Sequence, residues 1–280
     1  MNKLSTDARA EIVTALVEGN SIRSISRLTG RSQNTIMKLI LDLGAACVRF
    51  HDTTVRNVRA KRIECDEVWS YIGCKEANVR RATRPESIGD VWTWVALEAE
   101  SKLVLSWLVG DRDFENAVMF MRDLAGRLAH RVQLTTDALW SYRKAVEAAF
   151  GWNGVDYAVL QKIYGRPTSD ESRYSPPVCV GTRKEWIMGK PVEALVSTSY
   201  IERSNLTLRM RCRRFTRLTN AFSKNLDNHA AAVAIHYCHY NFCRIHKTLG
   251  VTPAMAAKVT PHKWSVRELV SLLDLQQVAA

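Results

Sequence analysis

Arg62-Ile63-Glu64-Cys65-Asp66-Glu67-Val68-Trp69-Ser70-Tyr71-Ile72 reads as a strand, because Ile63, Cys65, Val68, Trp69 and Tyr71 supply the β-branched and aromatic character that a pleated surface favours. Its oddity is the acid at its centre. A carboxylate among apolar neighbours is costly unless something pairs with it, and a metal ion is a suitable partner for Asp66.

Working outward from this strand, Val91 to Leu97 and Leu103 to Val109 are two further strand-like runs, and the break at Glu100, Ser101 and Lys102 predicts a hairpin between them. Residues 116 to 128 carry apolar side chains at helical spacing. Arg131 to Thr136 reads as a buried strand, Leu139 to Phe150 as a helix, and Tyr157 to Ile163 as another strand. The order β, β, β, α, β, α, β is that of a ribonuclease H-like domain, an α/β fold with a mixed sheet flanked by helices. Gly165 to Ser199 holds Pro167, Pro176, Pro177, Gly181, Gly189 and Pro191 with little periodicity, and predicts a long irregular insertion in which Glu185 to Met188 is the one short candidate element. From Thr198 a helix runs through Glu202, Asn205 and Arg209. More helix follows from Leu226 to about Cys243 and from Val266 to Leu273.

Upstream, the first 46 residues read as a separate all-α unit of three short helices. Ile12, Ala15 and Leu16 give one apolar face, Ser21 caps a second helix, and after a turn at Thr29 and Gly30 a third helix starts near Ser32 and ends at Gly44. That is a helix-turn-helix pattern. In such a unit the start of the last helix faces the major groove, where Arg31, Ser32, Gln33, Asn34, Thr35 and Lys38 offer hydrogen bonds to base edges and phosphates. Residues 47 to 60 lack clear apolar periodicity and carry Arg49, Arg56 and Arg59, which predicts a basic linker. The catalytic unit would then span 61 to 225, with an irregular insertion about 165 to 199 and a helical segment over 226 to 280.

Composition agrees with a polyanionic partner. The 280 residues carry a formal net charge of +12, and Lys and Arg gain free energy by displacing counterions condensed on phosphates. Double-stranded DNA is the expected partner, although charge alone does not name it. No apolar run reaches the roughly 20 residues needed to cross a bilayer, and the N-terminus is polar, so a cytoplasmic protein without a membrane partner is expected. The seven cysteines form no CxxC pair and read as thiols.

Three acids carry the chemistry. Asp66 lies in a strand, Asp137 directly after the strand ending Leu134-Thr135-Thr136, and Glu202 near the start of a helix with Asn205 and Arg209 on the same face. Each acid alone has an ordinary structural role open to it, as an edge charge, a helix cap or half of an ion pair. Taken together they form the set that phosphodiester chemistry uses: hard carboxylates holding two divalent ions, Mg²⁺ or Mn²⁺, that activate an attacking oxygen and stabilise a leaving one. Arg209, Arg211, Arg213, Arg214 and Arg217 form the densest basic run and are expected to clamp phosphates, with Phe215 either packing or stacking on a base. His236, His239 and Cys243 could share a helical face and hold zinc, but their spacing matches none of the usual zinc patterns.

Cys65 to Gly73, Thr135 to Tyr142 and Tyr200 to Arg209, continuing through Arg213-Arg214-Phe215 to Lys224, resemble the DDE transposases of the insertion-sequence-1 family. The similarity covers roughly residues 61 to 230. It implies that Asp66, Asp137 and Glu202 are a metal-binding catalytic triad, that Arg209 is the basic residue of the catalytic helix, and that His229 is an accessory candidate. It also implies a bacterial, nucleoid-associated enzyme that cleaves the ends of its own element and joins them to target DNA as a homo-oligomer. The chain departs from the family in lacking a zinc-binding cysteine motif before the helix-turn-helix and in having a longer stretch between Asp137 and Glu202. A DNA-binding regulator and a metal-dependent nuclease of the same fold are the competing readings.

Overall fold

A computed structural model describes residues 4–79, 88–152, 154–165, 178–216 and 219–275. Among these residues the protein is a mixed α/β structure built on one six-stranded sheet with nine α-helices around it. The strands are β1 (Arg62–Ile72), β2 (Gly89–Glu98), β3 (Val104–Gly110), β4 (Val132–Thr136), β5 (Val155–Tyr164) and β6 (Cys179–Met188). They lie in the order β3-β2-β1-β4-β5-β6. β1 is antiparallel to β2 and parallel to β4, so it sits at the centre of the sheet, where the antiparallel and parallel halves meet.

Both faces of the sheet are covered. On one, α4 (Phe114–Ala125) and α5 (Trp140–Phe150) bury Phe120, Met121, Tyr142 and Val146 against Cys65, Trp94 and Leu134. On the other, α6 (Ser199–Arg211) and α7 (Leu226–Cys238) bury Ile201, Leu208, Val233 and Tyr237 against Val68, Val95 and Leu97. Because strand side chains alternate, successive residues of β1 serve opposite faces. Glu64 and Asp66 turn toward α6, whereas Cys65 and Glu67 turn toward α5.

The N-terminal helices α1 (Thr6–Val17), α2 (Ile22–Thr29) and α3 (Gln33–Thr54) begin where the sequence places them. Ser5, Ser21 and Ser32 cap them by accepting from the amides of Ala8, Ser24 and Thr35. The expected stop at Gly44 is wrong: α3 runs ten residues further, through most of the segment read as a linker. Gly44 is a packing glycine, not a terminator. A Cβ there would meet the Cβ of Ala231 on α7 at 2.5 Å, so the missing side chain lets two helices touch. Beyond it, Cys47, His51 and Val55 continue a buried face at helical spacing. The polar His51 hid that periodicity; its ring meets the Val104 carbonyl and Arg127. The boundary drawn at residue 46 thus falls inside a helix, and one apolar core joins Ile12, Ile40 and Leu43 to the sheet and to Leu269 and Val270 of α9 (Val266–Leu275).

The segment expected to be an irregular insertion is partly regular. Part of it forms β6, which pairs antiparallel with β5 over most of its length. Thr182, Arg183, Lys184 and Glu185 stand on an edge strand with little burial, so no apolar alternation betrays it in the sequence. Pro167, Pro176 and Pro177 lie outside the described residues. α7 ends at Cys238 in a five-residue π turn to Cys243, followed by a short α8 (Pro253–Ala256) that the sequence did not suggest. Among the described residues no helix is long and apolar enough to cross a membrane.

Candidate active site

The central strand and the α5 side deliver one acidic cluster. Among the described residues, the grouping of Asp, Glu, His or Cys able to surround a cation is Asp66, Glu67 and Asp137, each offering one carboxylate oxygen within 4.8 Å of the others. Asp66 and Asp137 are among the acids singled out in the sequence, and Glu67 is not. The available signal was the pair of consecutive acids in a buried strand: alternation sends their side chains to opposite faces, yet both can reach the end of β4.

Each acid is held differently. Asp66 Oδ2 accepts from Asn205 Nδ2 at 2.8 Å. Asp137 lies in the turn after β4, where its Oδ1 accepts the Leu139 amide at 2.9 Å; it orders the turn into α5 without being the helix cap. The Glu67 side chain is only 1% exposed. Its Oε1 accepts from Arg112 Nε at 2.7 Å and its Oε2 from the Tyr142 hydroxyl at 3.1 Å. Arg112 also stands 3.9 Å from Asp137.

Crowded negative charge in a desolvated place resists ionisation. Burial first, then the charges of Glu67 and Asp137, push the Asp66 carboxyl up to about 7. Glu67 is raised by burial and by Asp137, against the pull of Arg112. Asp137 is raised by burial as well. Arg112 offsets part of the rise at Glu67 and Asp137.

Glu202 stands apart from this cluster. Its Oε2 accepts from Lys162 Nζ of β5 at 2.5 Å and its Oε1 from the Thr198 hydroxyl at 2.6 Å. Its charge nevertheless adds to those raising Asp66. Of the three acids expected to act together, the fold brings Asp66 and Asp137 side by side and leaves Glu202 bonded to Lys162, one helical turn from Asn205.

α6 is fixed to β1 by a residue the sequence reading passed over. Glu64 is fully buried, and its Oε2 accepts the amides of Tyr200 and Ile201 in the first turn of α6, at 2.8 and 3.0 Å. A carboxylate there satisfies open helix amides and sets the height of the helix over Asp66.

The expected DNA-contacting residues divide. Arg31, Ser32, Gln33, Asn34, Thr35 and Lys38 are exposed around the start of α3, with Lys38 paired to Asp42 at 2.9 Å. Asn205 is buried on Asp66 and does not reach solvent. Arg209 is half-buried on α6. Arg211 pairs with Glu18 of the segment after α1. Arg213 is exposed, whereas Arg214 is half-buried and donates to Ser223 Oγ at 3.1 Å. Arg217 lies outside the described residues. Phe215 is buried against His229 with ring centres 4.9 Å apart, so of the two roles open to it packing is the one observed. His229 itself is enclosed between Ser70 and Ser223, and burial drives its pKa down to about 3. His236, His239 and Cys243 do not come together as a metal-binding group among the described residues. All seven cysteines are free.

No protein-family model and no curated protein matches the chain. A solved structure described as a cryo-EM structure of a piggyBac transposase synaptic complex with hairpin DNA aligns over 100% of this chain and 74% of that one, at 12% identity and a TM-score of 0.38. A likeness that weak carries no argument about this protein's fold or chemistry.

Proposed function

We propose that the protein is a metal-dependent DNA transposase that cleaves the ends of its own element and joins them to target DNA, with Asp66, Asp137 and Glu202 as its acids on a ribonuclease H-like framework. The observation that carries this reading is the position of Asp66. It lies at the centre of the sheet, beside two further carboxylates, under a helix that brings Asn205 to it and Glu202 within electrostatic reach. The sequence resemblance to insertion-sequence-1 transposases supports the same assignment.

The residues present fit a divalent cation. The donors are hard carboxylate oxygens, their charge exceeds that of Arg112, and the raised values of Asp66, Glu67 and Asp137 mark negative charge awaiting compensation. Bound Mg²⁺ or Mn²⁺ would supply activation of an attacking oxygen and charge stabilisation of the leaving oxygen of a phosphodiester. The protein's part is to hold the acids. Asn205 orients Asp66, the Leu139 amide orients Asp137, and Arg112 with Tyr142 holds Glu67 in place. Glu202 would serve as a ligand once released from Lys162, which itself could then meet a phosphate. The exposed start of α3 would act as the reading helix of a helix-turn-helix, and Arg213 and Arg209 would contact the backbone near the acids. Two ends cut and joined together require two active sites, so a homo-oligomer assembled on DNA is part of the proposal.

The test is Mg²⁺-dependent cleavage and joining of oligonucleotides carrying the inverted repeats that flank the gene. Asp66→Asn, Asp137→Asn and Glu202→Gln should each abolish both steps while DNA binding persists. Wild-type cleavage by the Asp66→Asn protein would overturn the assignment.

A further inference from the structure

We infer that the sheet face beside the acid cluster is a stacking groove for an unpaired base of single-stranded DNA, with Arg214 holding the adjoining phosphate. The inference rests on the DNA-processing reading above and deepens it by naming the form of the substrate. A cleft of about 630 Å³ and a second of about 580 Å³ open on this side of the molecule, and Arg214 lines both. The second is walled by Trp69, Tyr71, Phe215 and Phe222 together with Lys75 and Arg214.

The aromatic side chains form a continuous row. Trp69 and Tyr71 have ring centres 5.6 Å apart, and Tyr71 and Phe222 lie 5.0 Å apart. All three are half-buried, so their rings stay reachable from solvent. Lys75 sits 5.7 Å from the Trp69 ring centre. Trp92 is the cross-strand partner of Trp69, and the Arg112 guanidinium lies 4.5 Å over its ring. The same Arg112 bonds Glu67 and stands near Asp137. Aromatic groove and acid cluster are thereby joined through a single side chain, and Trp69 lies two residues along β1 from Glu67, a rise of roughly 7 Å.

Arg214 supplies the independent observation. Its guanidinium is half-buried, its hydrogen-bond partners are the Ser223 hydroxyl and the Met37 sulfur, and among the described residues no carboxylate lies within ion-pair distance. Burial alone would favour pairing such a charge, and an anion entering either cleft would do so. A phosphate is the anion that comes attached to a planar ring suited to Trp69 and Tyr71. Cationic grooves lined with stacking aromatics are the general solution for single strands, because every base has a π-face. A duplex keeps its bases stacked on each other and cannot use these rings.

The experiment measures anisotropy of a fluorescein-labelled oligothymidylate against the full chain in EDTA, which prevents cleavage, with a duplex of the same length as comparison. Trp69→Ala should weaken the single strand roughly 10-fold and leave the duplex unchanged, while Trp69→Phe retains most of the binding. Phe222→Ala should act in the same direction if the Trp69→Ala protein fails to fold by circular dichroism. Unchanged single-strand affinity in both alanine variants, equal losses for duplex and single strand, or a stronger preference for an RNA strand of the same sequence would overturn the inference. Asp66→Asn separates the two readings. It should bind the single strand as the wild type does, so catalytic failure and groove failure give different results.

Discussion

Asn205 donates to Asp66 across 2.8 Å, linking the sixth helix to the central strand at the acid whose ionisation the site most opposes. The other amide atom of Asn205, Oδ1, is buried without a hydrogen-bond partner among the described residues. An asparagine that leaves an acceptor unmet costs stability, and orientation of Asp66 is what it provides in return. Asn205→Ala should therefore lower cleavage by roughly 10-fold to 100-fold, the scale of a small misplacement of a reacting group. Its melting temperature should move little, because the orphaned acceptor leaves with the side chain. A loss of stability matching the loss of activity would mean that Asn205 is merely structural.

Glu64 makes a different prediction. Its buried carboxylate holds the amides of Tyr200 and Ile201, so Glu64→Ala removes charged hydrogen bonds worth about 1.5–3 kcal/mol each and strands two amides. Glu64→Gln keeps an acceptor in place and should recover a large part of both stability and cleavage. Chemical denaturation of the two variants beside the wild type checks the order. Equal stability for alanine and glutamine would remove the helix-anchoring role.

What the sequence made legible was whatever leaves a local trace. β1, β4 and α6 announce themselves by β-branched runs or apolar spacing, and with them come Asp66, Asp137 and Glu202. Glu64 left no trace of its own and Glu67 only its place beside Asp66, since their partners Ile201, Tyr142 and Arg112 are distant in sequence and the pairing exists only in the folded sheet. β6 was hidden because its side chains meet water on an edge strand, and the far half of α3 because His51 occupies an apolar position. Arg211 and Arg214 looked like one exposed basic run with Arg213. Tertiary contacts with Glu18 and Ser223 divide that run, and no local pattern could reveal it.

Gly44 gives a prediction free of any functional reading. Alanine favours a helix interior by roughly 1 kcal/mol over glycine, so a helix judged by itself would gain from Gly44→Ala. Here the added methyl would meet the Ala231 Cβ at 2.5 Å and its Cα at 2.6 Å, and backbone cannot yield as a flexible side chain does. Overpacking costs about 1–3 kcal/mol, and the net effect is destabilising. Ala231→Gly in the same chain removes the nearest atom and should restore much of the loss. A double-mutant cycle by urea unfolding measures the coupling; additive effects would show that α3 and α7 do not press on one another there.

If the acid cluster holds the proposed cation, stability should depend on pH and on divalent cations in linked ways. The Asp66 carboxyl rises from its ordinary value of 3.8 to about 7 in the folded chain, and Glu67 and Asp137 shift the same way. Between those limits the folded protein holds more protons than the unfolded one. Stability contributed by the protonated acid is fully present below about pH 4 and is lost as pH rises through about 7. Without metal, the melting temperature should fall across that window, and Asp66→Asn should flatten the fall. Mg²⁺ or Mn²⁺ bound only by the folded state adds about 2.7 kcal/mol at a hundredfold excess over its dissociation constant, equivalent to a rise of about 5 °C or more. Because the cation competes with protons for the same oxygens, that rise should be larger at pH 8 than at pH 5 and absent in Asp66→Asn and Asp137→Asn. Calorimetric scans at the two pH values, with and without the ion, decide the matter: a stabilisation that ignores pH or survives both substitutions would place the cation elsewhere on the molecule.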